Sequence, residues 1–302
     1  MTQQFTLAQN LTRPIIEAAL QEDLGLGGDI TSLATIGADV EGEYILVSRG
    51  KGVLSGVQIA KDAFLIADPN LDVEILLNDG ARVSPGDSIA TITGAVRSIL
   101  MAERVALNYL GHMSGIASLT AKMQAACAPH SAKVAATRKT TPGLRIFEKH
   151  AVRCGGGLPH RMRLDDAMMI KDNHIAANGG DIVKTLEAAR AYAGHTVKIE
   201  IEVDNLDQYR AVQAAGLADI IMLDNMSCAD MKTAVQNNPT KAVLEASGNV
   251  TLKTIGDIAA TGVDVISIGA LTHSAANFDI GLDSADAVAR HYREGVRTAS
   301  IL

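Results

Sequence analysis

The sequence predicts an α/β fold whose C-terminal half forms an incomplete or distorted β/α barrel, and three observations carry that expectation. Short apolar runs recur at 133–136, 167–170, 197–203, 219–223, 242–245 and 264–268, each followed by a helical stretch. Strand and helix in alternation mean parallel strands joined by right-handed crossovers. Charge falls where such strands end: AMMIK closes on Lys171, IIMLD on Asp224, VLEAS on Ser247 and VISIG on Gly269. Parallel strands buried on both faces should read as unbroken apolar runs, with polar residues only at the binding mouth. The N-terminal third has a different texture, with short β-like runs set among turn residues. Six βα units fall short of the eight of a regular barrel, so a doubly wound open sheet stands as the alternative.

Taken in order, residues 13–22 read as a helix with Thr12 as N-cap and Pro14 in its first turn. Strand-like runs follow at 44–48, 53–55, 73–77 and 88–93, with a helix over 57–67 between them. The stretch NDGARVSPGDSIATITG has the turn patterning of a small sandwich and displays no Lys in a tight hairpin, so it is structural and carries no attached cofactor. A long helix over 98–126 keeps Leu100, Leu107, Leu110 and Ser114 on one face, flanked by Arg104 and Asn108.

Composition excludes several classes. The 302 residues are 47% hydrophobic with 27 Gly, which suits a packed enzyme of one large and one smaller domain. Net charge is −7, aromatics are 3% and Trp is absent, which argues against nucleic-acid binding. The opening MTQQFTLAQNLTRP lacks the charge and apolar core of a signal peptide, and no apolar run reaches membrane-spanning length, so a cytoplasmic protein without membrane contact is expected. Cys127, Cys154 and Cys228 are odd in number and far apart, as expected of reduced spectator thiols.

Residues 137–175 break the acidic pattern. They hold eight Lys and Arg against Glu148, Asp165, Asp166 and Asp172, a local +4 in a chain of −7. A unit charge pair about 4 Å apart is worth about 4 kcal/mol at a surface-like dielectric, enough to steer a small polyanion. In KIEIEVDN, alternation sets Glu200, Glu202 and Asp204 on one face and Ile199, Ile201 and Val203 on the other. Inward carboxylates need cations or a metal. Two readings follow: a structural network with Lys171 and Arg138, or carboxylates that bind ribose hydroxyls or Mg²⁺ opposite a basic phosphate grip. Ser247, Gly248 and Asn249 lie between a strand and a helix expected near Thr251, and Gly269 and Ala270 repeat the arrangement, so backbone N–H groups can meet a phosphate. Arg145 and Arg153 read as solvated, His174 and Asn173 as loop-ordering, His273 as a neighbour of the phosphate loop or a helix cap, and His130 and His195 as surface residues.

TRKTTPGLR (137–145), GGG-x-x-HR (155–161), IKDNH (170–174), MLDN (222–225), EASGN (245–249) and AERVALN (102–108), in this order, resemble the quinolinate phosphoribosyltransferase family over nearly the whole chain. Pro159 stands where that family usually has Asn, and Arg163 where it usually has Gly. The resemblance implies an α/β sandwich domain of residues 1–115 plus 275–302 and an open six-to-seven-stranded α/β barrel of 116–274. It implies transfer of phosphoribose from phosphoribosyl pyrophosphate to quinolinate with Mg²⁺, decarboxylation, and release of nicotinate mononucleotide, pyrophosphate and CO₂. By residue matching it places Arg104, Arg138, His160, Arg161 and Lys171 around quinolinate and Lys139 near the pyrophosphate. Glu202 and Asp224 match the ribose and metal ligands, and Ser247, Gly248, Asn249, Gly269 and Ala270 the 5-phosphate cradle. It implies a head-to-tail homodimer in which Arg104 enters the partner's site, with hexamers as a further assembly.

Overall fold

The computed structural model describes residues 7–289, so the expectations for the first six residues and for 290–302 lie outside the described residues. The chain divides into two compact units: the residues up to Ser118 together with those from Ala275 onward, and Leu119–Ser274.

In the first unit, α1 (Gln9–Leu24) and α2 (Ile30–Thr35) precede a sheet and its covering helix. Strands β1 (Glu41–Ser48), β2 (Gly52–Val53), helix α3 (Val57–Ala67), β3 (Asp72–Ile75), β4 (Arg82–Val83) and β5 (Ser88–Ala95) lead into α4 (Val96–Ala126). The four-stranded sheet runs from the strand Ile280–Ser284 through β1 and β5 to β3, all antiparallel, while β2 pairs with β4. Helix α3 buries Ile59, Ala60, Ala63 and Phe64, the i, i+4 stripe that its sequence presents. Helix α1 corrects the expected cap. It begins at Gln9 after Ala8, and Thr12 lies inside it, buried on one stripe with Ile16 and Leu20. Covering that stripe takes an extra turn at the start, which leaves Pro14 inside the helix at the loss of one backbone donor.

The second unit alternates as expected. Its elements are β6 (Lys133–Ala135), α5 (Arg145–Cys154), β7 (Met168–Ile170), α6 (Asp172–Ala177), α7 (Ile182–Tyr192), β8 (Ile199–Val203), α8 (Leu206–Ala215), β9 (Ile220–Asp224), α9 (Cys228–Gln236), β10 (Val243–Ser247), α10 (Ile255–Ala259), β11 (Val265–Ser267) and α11 (Ala270–His273). The six strands form one parallel sheet in the order β6, β11, β10, β9, β8, β7. Beyond β6 the ladder gains a further short segment: Leu158 donates to the Val134 carbonyl at 2.8 Å and accepts from Ala136 N–H at 2.9 Å. From that segment the Arg161 guanidinium reaches the carbonyl of Ala167, at the entry to β7, at 2.8 Å. This is the six-to-seven-stranded α/β arrangement, with a side chain spanning the step between its first and last members. Helix α10 starts four residues later than expected, because Thr251 N–H is taken by the Thr254 hydroxyl at 3.0 Å in a local turn.

The two ends of the sheet do different work. Before β9, Asp219 accepts from Ile199 N–H, Arg190 and Lys198, each at 2.9 Å. Before β11, Asp264 accepts from Leu244 N–H at 2.8 Å. Each carboxylate clasps the start of a neighbouring strand, so this end serves register and stability. The polar residues without a structural partner collect at the other end, where ligands bind in parallel α/β sheets.

Candidate active site

Pairing across β8, β9 and β10 brings alternate residues onto one face. Glu202 stands opposite Met222, Met222 opposite Glu245, and Asp224 opposite Ser247. Along β8, exposure rises from Glu200 at 2%, through half-buried Glu202, to exposed Asp204. The carboxylates thus climb from the core toward the mouth, as the alternation in KIEIEVDN requires.

Each inward carboxylate has a cation, though not always the expected one. Glu202 Oε1 holds the Lys171 ammonium, placed at the exit of β7. Glu200 is paired with His160, not with Arg138: Nε2 of His160 lies 3.2 Å from Glu200 Oε2 and 3.4 Å from Glu245 Oε1. Burial opposes a charge on His160, but hydrogen bonds to the two carboxylates outweigh it and push its pKa up to about 9. Burial and the repulsion of Glu245 in turn raise the Glu200 carboxyl, against the pull of His160. Arg161 N–H lies 2.8 Å from His160 Nδ1 and can donate only when that nitrogen is bare. The proton lost as pH rises through about 9 is therefore the one on Nδ1, and the Nε2 proton stays between the carboxylates in both states. The ligand atoms of this trio lie within 4.8 Å of one another, and a metal ion there would have to displace the Nε2 proton.

His160 adopts φ +53°, a left-handed conformation uncommon outside glycine. Its loop is held from α5. Lys149, 1% exposed, donates to the carbonyls of Pro159 and Arg161, and Arg145 donates to the Met162 carbonyl at 3.1 Å and the Thr140 hydroxyl at 2.9 Å. Arg145 is therefore a structural tie and not the solvated residue expected. Pro159 lacks an N–H, yet the loop uses only its carbonyl.

Arg161 is buried, and burial disfavours its charge, as does the guanidinium of Arg138. Glu200, Glu202 and Asp166 compensate. Those couplings place Arg138, Arg161 and Glu202 in one electrostatic neighbourhood. Lys139 follows β6; its carbonyl accepts from the Thr272 hydroxyl at 2.7 Å, and its side chain passes so close to Gly269 that a Cβ there would stand 2.9 Å from Cδ. His273, exposed, also borders Gly269. After β10, Gly248 has φ +101°, and a Cβ would sit 2.1 Å from Asn225 Oδ1. Asn225 binds Asp224 through its amide at 2.9 Å and accepts from Asn249 at 3.2 Å. These contacts join the ends of β9 and β10 into one polar rim with Ser247, Gly248 and Asn249, while Gly269 and Ala270 begin the turn after β11. Arg104 belongs to the first unit, where it is exposed and 4.0 Å from Glu103.

Buried polar atoms without a partner mark what the site lacks. In the second unit they are Nε of Arg138, Nε of Arg161, Oε1 of Glu200 and Oγ of Ser267, while Oε1 of Glu245 has only the His160 contact at 3.4 Å. Native proteins rarely leave such atoms unpaired unless a ligand, ion or water completes them. Sequence reasoning had given Glu245 and Lys149 no role. A carboxylate inside the otherwise apolar VLEAS strand was a usable signal for Glu245. Lys149 gave none, since α5 buries six consecutive residues, 147–152, and has no outward stripe there.

Among the described residues, no helix is long and apolar enough to cross a membrane, and none of the three cysteines is in a disulfide. The family description "Quinolinate phosphoribosyl transferase, N-terminal domain" matches residues 29–114, and "Quinolinate phosphoribosyl transferase, C-terminal domain" matches 116–283. A probable nicotinate-nucleotide pyrophosphorylase [carboxylating] of Bacillus subtilis is 41% identical, covering 87% of this chain and 89% of that protein. The nicotinate-nucleotide pyrophosphorylase [carboxylating] of Mycobacterium leprae is 42% identical over 90% of this chain and 96% of that protein. The crystal structure of NadC from Streptococcus pyogenes superposes with a TM-score of 0.88 at 40% identity, covering 93% of this chain and 100% of that one. With both domain descriptions matched and relatives more than 40% identical along most of its length, the chain belongs to the quinolinate phosphoribosyltransferase family.

Proposed function

We propose that the chain transfers the phosphoribosyl group of phosphoribosyl pyrophosphate to the ring nitrogen of quinolinate, giving nicotinate mononucleotide, pyrophosphate and CO₂ in NAD biosynthesis. The observation that carries this reading is the set of unpaired buried atoms, guanidinium nitrogens of Arg138 and Arg161 and a carboxylate oxygen of Glu200, in one electrostatic neighbourhood with Glu202. Such a site suits a ligand that brings anionic groups and develops positive charge.

In the reaction, the quinolinate nitrogen bonds to ribose C1 as the C1–O bond to pyrophosphate breaks, and that electron pair leaves with pyrophosphate. Arg138, His160, Arg161 and Lys171 orient the two ring carboxylates, with Arg104 supplied by a second subunit. Glu202 and Asp224 bind the ribose hydroxyls and stabilise the positive charge that grows at C1. Lys139 stabilises the departing pyrophosphate, and Ser247, Gly248, Asn249, Gly269 and Ala270 cradle the 5-phosphate. Loss of CO₂ then leaves an electron pair at C2 beside the cationic ring nitrogen, and that carbon takes up a proton. Glu202 and Asp224, hard oxygen donors on neighbouring strands, fit Mg²⁺ bound directly or through substrate and water. When bound, the ion supplies charge stabilisation to the pyrophosphate.

The assembly in this reading is a cytoplasmic head-to-tail homodimer, able to build hexamers, with the sandwich in residues 1–115 plus 275–302 and the barrel in 116–274. An absorbance assay with quinolinate, phosphoribosyl pyrophosphate and Mg²⁺ tests the activity. Absence of nicotinate mononucleotide sinks it, and equal rates with nicotinate, which has one carboxylate fewer, sink the dicarboxylate assignment.

A further inference from the structure

A buried ammonium is costly unless it has firm partners. Lys149 is 1% exposed, on the inner side of α5, and sits among Arg145, Arg138 and Arg161. Burial, then the repulsion of Arg145, lowers its pKa to about 8, with Asp166 acting in the opposite sense. A side chain needed only to fill space at this position would be better apolar, so the ammonium's two contacts must account for its presence.

Those contacts are specific. They go to the carbonyls of Pro159 and Arg161, the two residues that bracket His160. The loop between them has φ +53° at His160, aims its imidazole at Glu200 and Glu245, and sends the Arg161 guanidinium to Ala167. Fixing both carbonyls fixes the peptide planes before His160 and after Arg161, and so brackets the two residues whose side chains point into the site. Its neighbour one turn earlier, Arg145, secures the next carbonyl, Met162.

We propose that Lys149 is a positioning residue for substrate selection, setting the geometry of His160 and Arg161 for the quinolinate carboxylates by gripping the carbonyls on both sides of His160. This rests on the functional reading above. It makes Lys149 act on quinolinate and not on phosphoribosyl pyrophosphate, whose phosphates are assigned to the other strand ends. Loosening the loop should therefore raise KM for one substrate alone.

The test compares Lys149→Met with Lys149→Gln in the full-length protein. Met keeps the volume and loses both donors, whereas the Gln amide has two N–H groups for the two carbonyls. In Lys149→Met, KM for quinolinate should rise at least tenfold while KM for phosphoribosyl pyrophosphate stays within twofold, and Lys149→Gln should recover most of the loss. Calorimetric titration of quinolinate should show the same order. If Lys149→Met does not fold, Lys149→Gln carries the test through a smaller rise confined to quinolinate. Unchanged quinolinate KM, or equal rises for both substrates, in whichever variant folds, overturns the proposal. An active wild type beside such a variant removes the Lys149 role alone; a wild type that releases no CO₂ from quinolinate removes the functional reading and this inference with it.

Discussion

Nε2 of His160 stands 3.2 Å from Oε2 of Glu200, so a loop residue is locked by its side chain onto β8 of the parallel sheet. Glu245, two strands away, closes the same grip from the other side at 3.4 Å. The pair holds the His160 pKa at about 9 against an ordinary 6.5. A raised histidine contributes stability that is complete below pH 6.5 and is lost as pH rises through about 9. Glu245→Gln removes one carboxylate and should move that loss to lower pH. It should also cut kcat/KM for quinolinate by about tenfold, near 1.4 kcal/mol. Steady-state kinetics and melting curves from pH 6 to 10 check both, and coincident profiles for variant and wild type would remove the role of Glu245.

Lys139 is exposed and packs along Gly269, so its removal opens no buried cavity. Lys139→Ala should lower kcat by about a hundredfold, as expected for loss of a group that stabilises charge in the transition state, with a melting temperature near that of wild type. Near-normal turnover would withdraw its assignment to the pyrophosphate.

Arg104 and Lys171 lie in different units of the chain. If active sites are shared between subunits, mixing inactive Arg104→Ala and Lys171→Ala proteins should give hybrid dimers with one intact site and recover a quarter or so of wild-type activity at equal mixing, the statistical expectation for C₂ pairs. No recovery at any ratio after subunit exchange would reject the shared site.

Asp219 tests the opposite end of the sheet. Burial would raise its carboxyl, but Ile199 N–H, Arg190 and Lys198 outweigh it and lower the pKa from 3.8 to about 2. A depressed carboxylate gives stability that is present above pH 3.8 and lost as pH falls through about 2. Asp219→Asn should therefore cost about 2 kcal/mol at pH 7, a deficit that narrows between pH 4 and pH 2, with kcat little changed. Thermal unfolding across that range measures it; a deficit independent of pH would show that the clasp works through shape and not charge.

Much of the fold was legible because parallel strands buried on both faces announce themselves. MMI is apolar throughout, IIMLD and VIS are apolar apart from their last residues, IEIEV and VLEAS carry carboxylates on one face, and the observed strands sit within a residue or two of the expected ones. The helical stretch expected near 57–67 is α3. Boundaries set by local hydrogen bonding were less legible. Nothing in the residues around Thr12 showed that burying its stripe would draw α1 back to Gln9, or that two threonines would delay α10.

By itself the sequence determined the alternation of strand and helix, the basic character of 137–175 and the carboxylates facing inward from β8, since each follows from residue type and period along one chain. Which charges meet was decided only by tertiary structure. Glu200 took His160 and left Lys171 to Glu202, Glu245 joined from another strand, and Lys149 found two carbonyls ten and twelve residues away. The physical reason is that pairing among buried charges depends on distances between strands and loops remote in sequence, and on which atoms are shut away from water; periodicity along one chain carries neither.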